Sequence, residues 1–145
     1  MKLRAGTRDD LPAVWAMLDG AGLPTTGVDP ADLTLLVADE GGVAVGAAAV
    51  EAHSSHGLLR SVVVDPELRR RSLGTALVAA AVAEAEDAGL DDLWLLTETA
   101  EGFFSSHGWQ RMTAADLPAA VRLSPEYTAH CSDSAVVMVR ELRRP

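Results

Sequence analysis

Leu58–Gly89, LLRSVVVDPELRRRSLGTALVAAAVAEAEDAG, decides the fold. Val62, Val63 and Val64 are consecutive β-branched residues and suit a strand. Asp65 and Pro66 stop it. Arg69, Arg70 and Arg71 then lead through Ser72-Leu73-Gly74 into an alanine-rich stretch that ends at Gly89, where a glycine closes a helix. Leu73, Leu77, Val78 and Val82 give this helix its buried face. A short loop feeding a helix N-terminus presents unpaired N–H groups and the positive end of a dipole, which favours phosphate. Arginines beside it add charge-assisted hydrogen bonds to phosphate oxygens. The segment therefore points to a ligand that carries pyrophosphate.

Working outward, the N-terminal side predicts a strand at Lys2–Gly6 and a helix that Thr7 and Asp10 cap as a box. Leu11, Val14, Trp15 and Leu18 follow at helical spacing. GLPTTGVDP at 22–30 is a loop. Leu35–Asp39 and Val43–Ala52 form a hairpin across Glu40-Gly41-Gly42, and 53–57 turns into the Leu58–Val64 strand. Beyond Gly89 the pattern predicts a strand at Leu93–Leu96, a short helix at Ala100–His107 and a strand at Trp109–Met112. A helical segment at Ala114–Val121 and a last strand at Ser134–Leu142 complete the chain. Strands first, then a helix and strand crossover, predict an α/β fold: a mixed, mostly antiparallel central sheet with helices on both faces.

The 145 residues read as one domain, 1–145, and an apolar share of 48% supports a proper core. No run approaches the roughly 18 apolar residues of a membrane span, and MKLRAGTRDD lacks a secretory core, so a cytoplasmic protein is expected. A net charge of −9, with one lysine against eleven arginines, argues against a nucleic-acid partner. The single cysteine, Cys131, excludes an internal disulfide and a multi-thiolate zinc site from one chain. His53, His56, His107 and His130 lack metal-ligand spacing, and no metal is expected. Trp15, Trp94 and Trp109 read as core.

Two motifs carry a resemblance. Arg69-Arg70-Arg71-Ser72-Leu73-Gly74 stands where the GNAT acetyltransferase superfamily has Arg/Gln-x-x-Gly-x-Gly/Ala, with Ser72 replacing the first glycine. Ala100-x-x-Phe103-Phe104-x-x-x-Gly108-Trp109 resembles that superfamily's Ala-x-x-Phe-Tyr-x-x-x-Gly-Phe. Gly22-Leu23-Pro24, Glu51 ahead of Leu58-Leu59-Arg60-Ser61, Phe103-Phe104 and the Glu126–Ala135 pattern are similar to the ArsN-like arsenic-resistance acetyltransferases, although Ser132 stands where proline is expected.

The resemblance implies transfer of acetyl from acetyl-coenzyme A to the primary amine of a small amino-acid-like molecule, an arsenical or phosphinic glutamate analogue included. It places Val62, Val63 and Val64 on the pantetheine arm and thioester, and Arg69, Arg70, Arg71, Ser72, Leu73, Gly74 and Thr75 around the pyrophosphate. Phe104 falls where many relatives have a tyrosine that protonates the thiolate. A homodimer is an option that no sequence patch decides.

For the acceptor, Glu51 is the candidate base. Arg60 inside an apolar strand grips a substrate carboxylate or phosphonate-like group, forms a structural ion pair with Glu51, its expected cross-strand neighbour, or simply points to solvent. Thr97, Cys131 and Ser134 are candidate substrate-lining residues. The alternatives are a protein or peptide N-acetyltransferase and a non-catalytic coenzyme-A-binding sensor, which Phe104 and Ser72 keep open.

Overall fold

A computed structural model describes residues 1–129 and 135–143, with the side chains of 69–71, 128 and 129 outside that description. Seven strands lie in the order β1-β2-β3-β4-β5-β7-β6. They are β1 (Lys2–Ala5), β2 (Thr34–Glu40), β3 (Val43–His53), β4 (His56–Val64), β5 (Asp92–Thr97), β6 (Gln110–Met112) and β7 (Val136–Glu141). All adjacent pairs are antiparallel except β4 and β5, which are joined by the crossover helix α2 (Leu73–Asp87). The expected mixed, mostly antiparallel sheet is present.

Alternation along the strands assigns each face its cover. Val50, Leu59, Leu93, Leu95 and Met138 meet the face of α2 that Leu73, Leu77, Val78, Ala81 and Val82 form. On the opposite face, α1 (Leu11–Gly20) sets Leu11, Val14 and Leu18 against Leu35, Val37, Ala47, Ala49 and Val63. The remainder of that face, Leu58, Trp94, Val137 and Val139, is covered by Leu117 and Val121. Gly46 permits the close approach of α2, because a Cβ there would stand 3.0 Å from Leu77 Cδ1.

Three expectations change. Trp15 is 40% exposed, on the flank of α1; its indole N–H donates to Val28 O at 3.1 Å and ties down the 22–30 loop. Residues 114–121 do not make one helix. They and their neighbours form 3₁₀ turns at Ala114–Asp116 and Val121–Leu123, with Pro118, which cannot donate an intrahelical bond, between them. A short helix, α4 (Pro125–Ala129), follows where none was expected. Among the described residues no helix is long and apolar enough to cross a membrane.

An ion cluster fixes the first strand. The Arg4 guanidinium reaches both Asp10 oxygens at 2.8 Å and Asp39 Oδ2 at 2.7 Å, and the Thr7 N–H donates to Asp10. The hydrogen bonds from Arg4 draw the Asp10 carboxyl down to about 2 and hold Asp39 below its ordinary value. A carboxyl whose folded pKa is depressed adds stability above its unfolded pKa, and that stability is lost as pH falls through the folded one. Arg4→Ala is therefore expected to cost about 1 kcal/mol, or about 3 °C in Tm, at pH 7. The deficit should shrink as pH falls from 4 toward 2; thermal melts across that window check it.

Candidate functional site

The groove in this fold arises from one extra residue. Ala47 opposes Val63 and Ala49 opposes Arg60, so Ser61 and Val62 together face Ala48. This is a β-bulge, and Ser61 occupies it at φ +60 with its side chain buried. Pairing of β4 with β5 is confined to His56–Leu58 against Asp92–Trp94. Beyond it the strands separate and leave a groove of about 730 Å³, lined by Leu59–Val64 on one wall and Leu95–Thr97 on the other.

Unpaired backbone lines that gap. Asp65 N–H donates to Val45 O across the β3 side, so alternation turns the peptide groups of Val62 and Val64 toward the groove. Their side chains still pack: Val62 and Val64 against the α2 core and Val63 against the α1 core. Backbone duty and core duty are compatible here.

One end of the groove is the start of α2, where Ser72, Gly74 and Thr75 line it. The first helical bond runs from Ala76 N–H to Ser72 O, which leaves the N–H groups of Leu73, Gly74 and Thr75 without intrahelical acceptors. Leu73 itself is buried in the core, so its contribution to a ligand is limited to backbone. Arg69, Arg70 and Arg71 lie in the 3₁₀ turn Pro66–Arg71 that leads to this end; their side chains are outside the described residues. Phe103 and Phe104 form the adjoining wall, edge to face at 5.1 Å, and Phe104 meets Trp109 at 5.5 Å. Thr97 also lines the groove, and its hydroxyl accepts from Ala100 N–H at 3.0 Å, fixing the entry to α3 (Glu101–Ser105).

The other end holds the charges. The Arg60 side chain has no solvent exposure. Its Nη1 donates to Glu51 Oε2 at 2.9 Å, its Nε to Ser61 Oγ at 3.2 Å, and its Nη2 lies 3.4 Å from Pro24 O. Glu51 opposes Leu58 rather than Arg60, so the expected direct pairing is corrected to a diagonal one. Every Arg60 nitrogen thus meets a protein group, which favours the ion-pair reading over a free grip on a substrate carboxylate.

Glu51 does not line the groove among the described residues. Its Oε1 lies 2.8 Å from His53 Nε2. Burial pushes this carboxyl up, but hydrogen bonds from Ser124, His53 and Arg60 outweigh it and hold the group below its ordinary value. A carboxylate held below its ordinary value is a weaker base than a free one, which lessens the support for Glu51 in that role.

Glu126, to which no role is assigned from the sequence, lines the groove and is 6% exposed. Its Oε1 is 3.8 Å from Arg60 Nε and its Oε2 has no hydrogen-bond partner among the described residues. Burial raises its carboxyl to about 7, Arg60 pulling it down and Glu51 pushing it up. Ser124-Pro125-Glu126 has the cap-then-proline form of a helix start, a local signal beside the Glu126–Ala135 pattern. Cys131 and Ser134, also expected at the substrate, lie outside the described residues.

Residues 31–111 match the family model described as an acetyltransferase (GNAT) domain. In fold the chain is similar to N-acetylglutamate synthase from Neisseria gonorrhoeae complexed with coenzyme A and N-acetyl-glutamate (TM-score 0.84, 21% identity). That match covers 99% of this chain and only 35% of the synthase, about a third of its length. Rv2747 from Mycobacterium tuberculosis, solved with CoA and NLQ, is similar at TM-score 0.82 and 23% identity, covering 99% of this chain and 100% of that one. The ribosomal-protein-S18-alanine N-acetyltransferase of Escherichia coli is similar at TM-score 0.70 and 17% identity, over 99% and 95% of the two chains. No curated protein sequence matches the chain.

Ser72 stands at φ +56, the left-handed region that glycine enters freely. That conformation costs an L-residue about 1–2 kcal/mol, whereas a glycine loses about 0.5–1 kcal/mol through unfolded-state entropy. Ser72→Gly is therefore expected to raise stability by about 0.5 kcal/mol, a rise of one to two degrees in Tm on the usual scaling. A lower Tm would show that the serine hydroxyl contributes more than its backbone strain costs.

Proposed function

The chain belongs to the GNAT acetyltransferase family, and from that premise we propose that it acetylates the primary amine of a small amino-acid-like molecule. The observation that carries this reading is the groove itself: helix N-terminus at one end, exposed strand edges in the middle, buried carboxylates at the other.

The cofactor half follows from chemistry that fits coenzyme A. The N–H groups of Leu73, Gly74 and Thr75, which have no intrahelical acceptors, suit hydrogen bonds to pyrophosphate oxygens, and the α2 dipole favours the negative charge. The backbone of Arg69–Ser72 shapes the approach. Peptide groups at Val62 and Val64 suit a pantetheine arm laid between β4 and β5, as an added strand would be. When bound, acetyl-coenzyme A supplies the activated thioester. The protein supplies orientation, a dry wall from Phe103 and Phe104, and N–H donors toward the developing oxyanion.

The acceptor half rests on the closed end. Ala21 and Leu23 line the groove there beside Arg60 and Glu126. A Cβ on Gly27 would stand 3.2 Å from Pro125 Cγ and 3.4 Å from Arg60 Nη1, so the 22–30 loop packs directly on α4 and the guanidinium. An end framed in this way, with a carboxylate in its wall, suits a compact ammonium better than a polypeptide. N-acetylglutamate synthase, named for a product made on an amino acid, shares this fold and supports the same acceptor class. Arsenical and phosphinic glutamate analogues are the members of that class that the sequence resemblance favours. Thr97, Cys131 and Ser134 remain its proposed lining.

Acetyl-coenzyme A is expected to raise Tm by several degrees at saturating concentration. Thiol release is expected with glutamate-like amines, phosphinic and arsenical analogues among them. Release with peptides bearing a free N-terminus and with no small amine would overturn the acceptor assignment. Phe104 is buried beside Phe103 and Trp109 with no proton to give. If thiolate protonation limits turnover, Phe104→Tyr should raise kcat about 10²-fold, the low end of general-acid effects; an unchanged kcat would show that it does not.

A further inference from the structure

We propose that Glu126 is the general base of the reaction, taking the proton from the acceptor ammonium at the closed end of the groove, with Glu51, Ser124 and Arg60 as its positioning residues. This rests on the amine-acetylation reading and adds a residue to it.

The argument is first geometric. Among the described residues that line the groove, Arg60 and Glu126 are the only titratable ones. Arg60 is spent on protein partners and, as a guanidinium, only donates and cannot take up a proton. Glu126 Oε2 is buried and has no hydrogen-bond partner among the described residues. Buried polar atoms in native proteins are nearly always paired, so an orphan oxygen on a side chain that lines a groove marks a place where a ligand donor belongs. An ammonium is the donor that matches a carboxylate oxygen.

Charge balance leads to the same place. Arg60 carries one positive charge and Glu51 one negative, and the two meet at 2.9 Å. A second buried carboxylate, Glu126, faces that pair with the one guanidinium shared between two carboxylates, and burial holds its proton to about 7, Arg60 pulling it down and Glu51 pushing it up. An arriving ammonium supplies the missing charge. Transfer of a proton from ammonium to Glu126 then leaves the cluster neutral on both sides of the step. The groups that face Glu126 among the described residues are Arg60 of β4 and Glu51 of β3, with His53 beyond Glu51. Ser124 holds the two carboxylates in relation: its Oγ accepts from Glu126 N–H at 3.1 Å and its hydroxyl hydrogen-bonds Glu51.

In the step itself, Glu126 takes one proton from R–NH3+. The freed lone pair forms the C–N bond to the thioester carbonyl carbon while the C–S bond breaks and its electron pair goes to sulfur. The second nitrogen proton passes to that sulfur, giving an amide and a free thiol, and Glu126 returns its proton to solvent. A base with a pKa near the working pH is well matched to this task.

The test uses Glu126→Gln in the full chain with acetyl-coenzyme A and a panel of glutamate-like amines. Stabilisation by acetyl-coenzyme A and its KM should be unchanged, while kcat falls about 10²–10³-fold at pH 8. The acidic limb of the wild-type kcat/KM profile near pH 7 should vanish. A kcat within about threefold of wild type, or a limb that persists, overturns the proposal. A readout independent of the acceptor comes from carboxyl 13C resonances of labelled glutamate. One should titrate near pH 7 and be missing from the variant. If no glutamate titrates above pH 6, the proposal falls even if the enzyme acetylates amines. If the resonance titrates as expected but no small amine yields thiol, the acceptor class is wrong while the proton-exchanging role of Glu126 is supported.

Discussion

A strand that carries one extra residue cannot keep register with both neighbours, and the molecule is organised around that constraint. The Ser61–Val62 bulge keeps β4 bonded to β3 and releases it from β5 after Leu58. β5 meanwhile stays paired with β7 along its whole length. Two hydrogen-bonded units thus diverge from a short shared base, and the gap has strand edge on one side and strand end on the other. Without the bulge the valine peptide groups would be satisfied by β5 and there would be no groove. The buried residue at φ +60 is strain kept where the site is made.

The bulge also carries a charge into the core. Arg60 directly precedes it, and its guanidinium ends inside the protein against Ser61, Glu51 and the 22–30 loop. A buried cation is tolerated only when it is paired and hydrogen-bonded. Meeting that demand recruits β3 through Glu51, the loop through Pro24 and α4 through Glu126. The same demand makes the acceptor end specific, because every group around Arg60 is placed by the need to offset it. Stability and chemistry draw on one cluster there.

Much of the frame was legible in the chain. Val62–Val64, the capped helix starts and the glycine at 89 are local signals whose periods and stops translate directly into elements. The helix start after Ser72 could be read as an anion site for the same reason. The acceptor end was not legible, because it depends on contacts across sequence distance. Glu51 and Arg60 are expected to be direct partners, but the tight turn that pairs His53 with His56 sets Glu51 against Leu58 and leaves Arg60 diagonal to it. Trp15 fits the helical period yet sits at its edge, where the loop needs a donor. Glu126 lies in a polar stretch with no periodic pattern, and only its burial beside Arg60 gives it a distinct chemistry.

The two ends of the groove use electrostatics in opposite ways. At the α2 end, polarised N–H groups and a macrodipole attract negative charge, a necessity in a chain whose net charge is −9. At the α4 end, carboxylates in excess over a single guanidinium attract positive charge. A ligand that is anionic at one end and an acceptor that is cationic at the approaching atom would each be drawn to its own end. Between them lies the divergence of β4 and β5, lined by unpaired backbone and apolar walls, where a carbonyl can be polarised with little competition from water. The distance between the ends is set by strands rather than by loops. The sheet therefore holds a weak electrophile and a masked nucleophile in line, and the proton that masks the amine is the one thing the closed end has to remove.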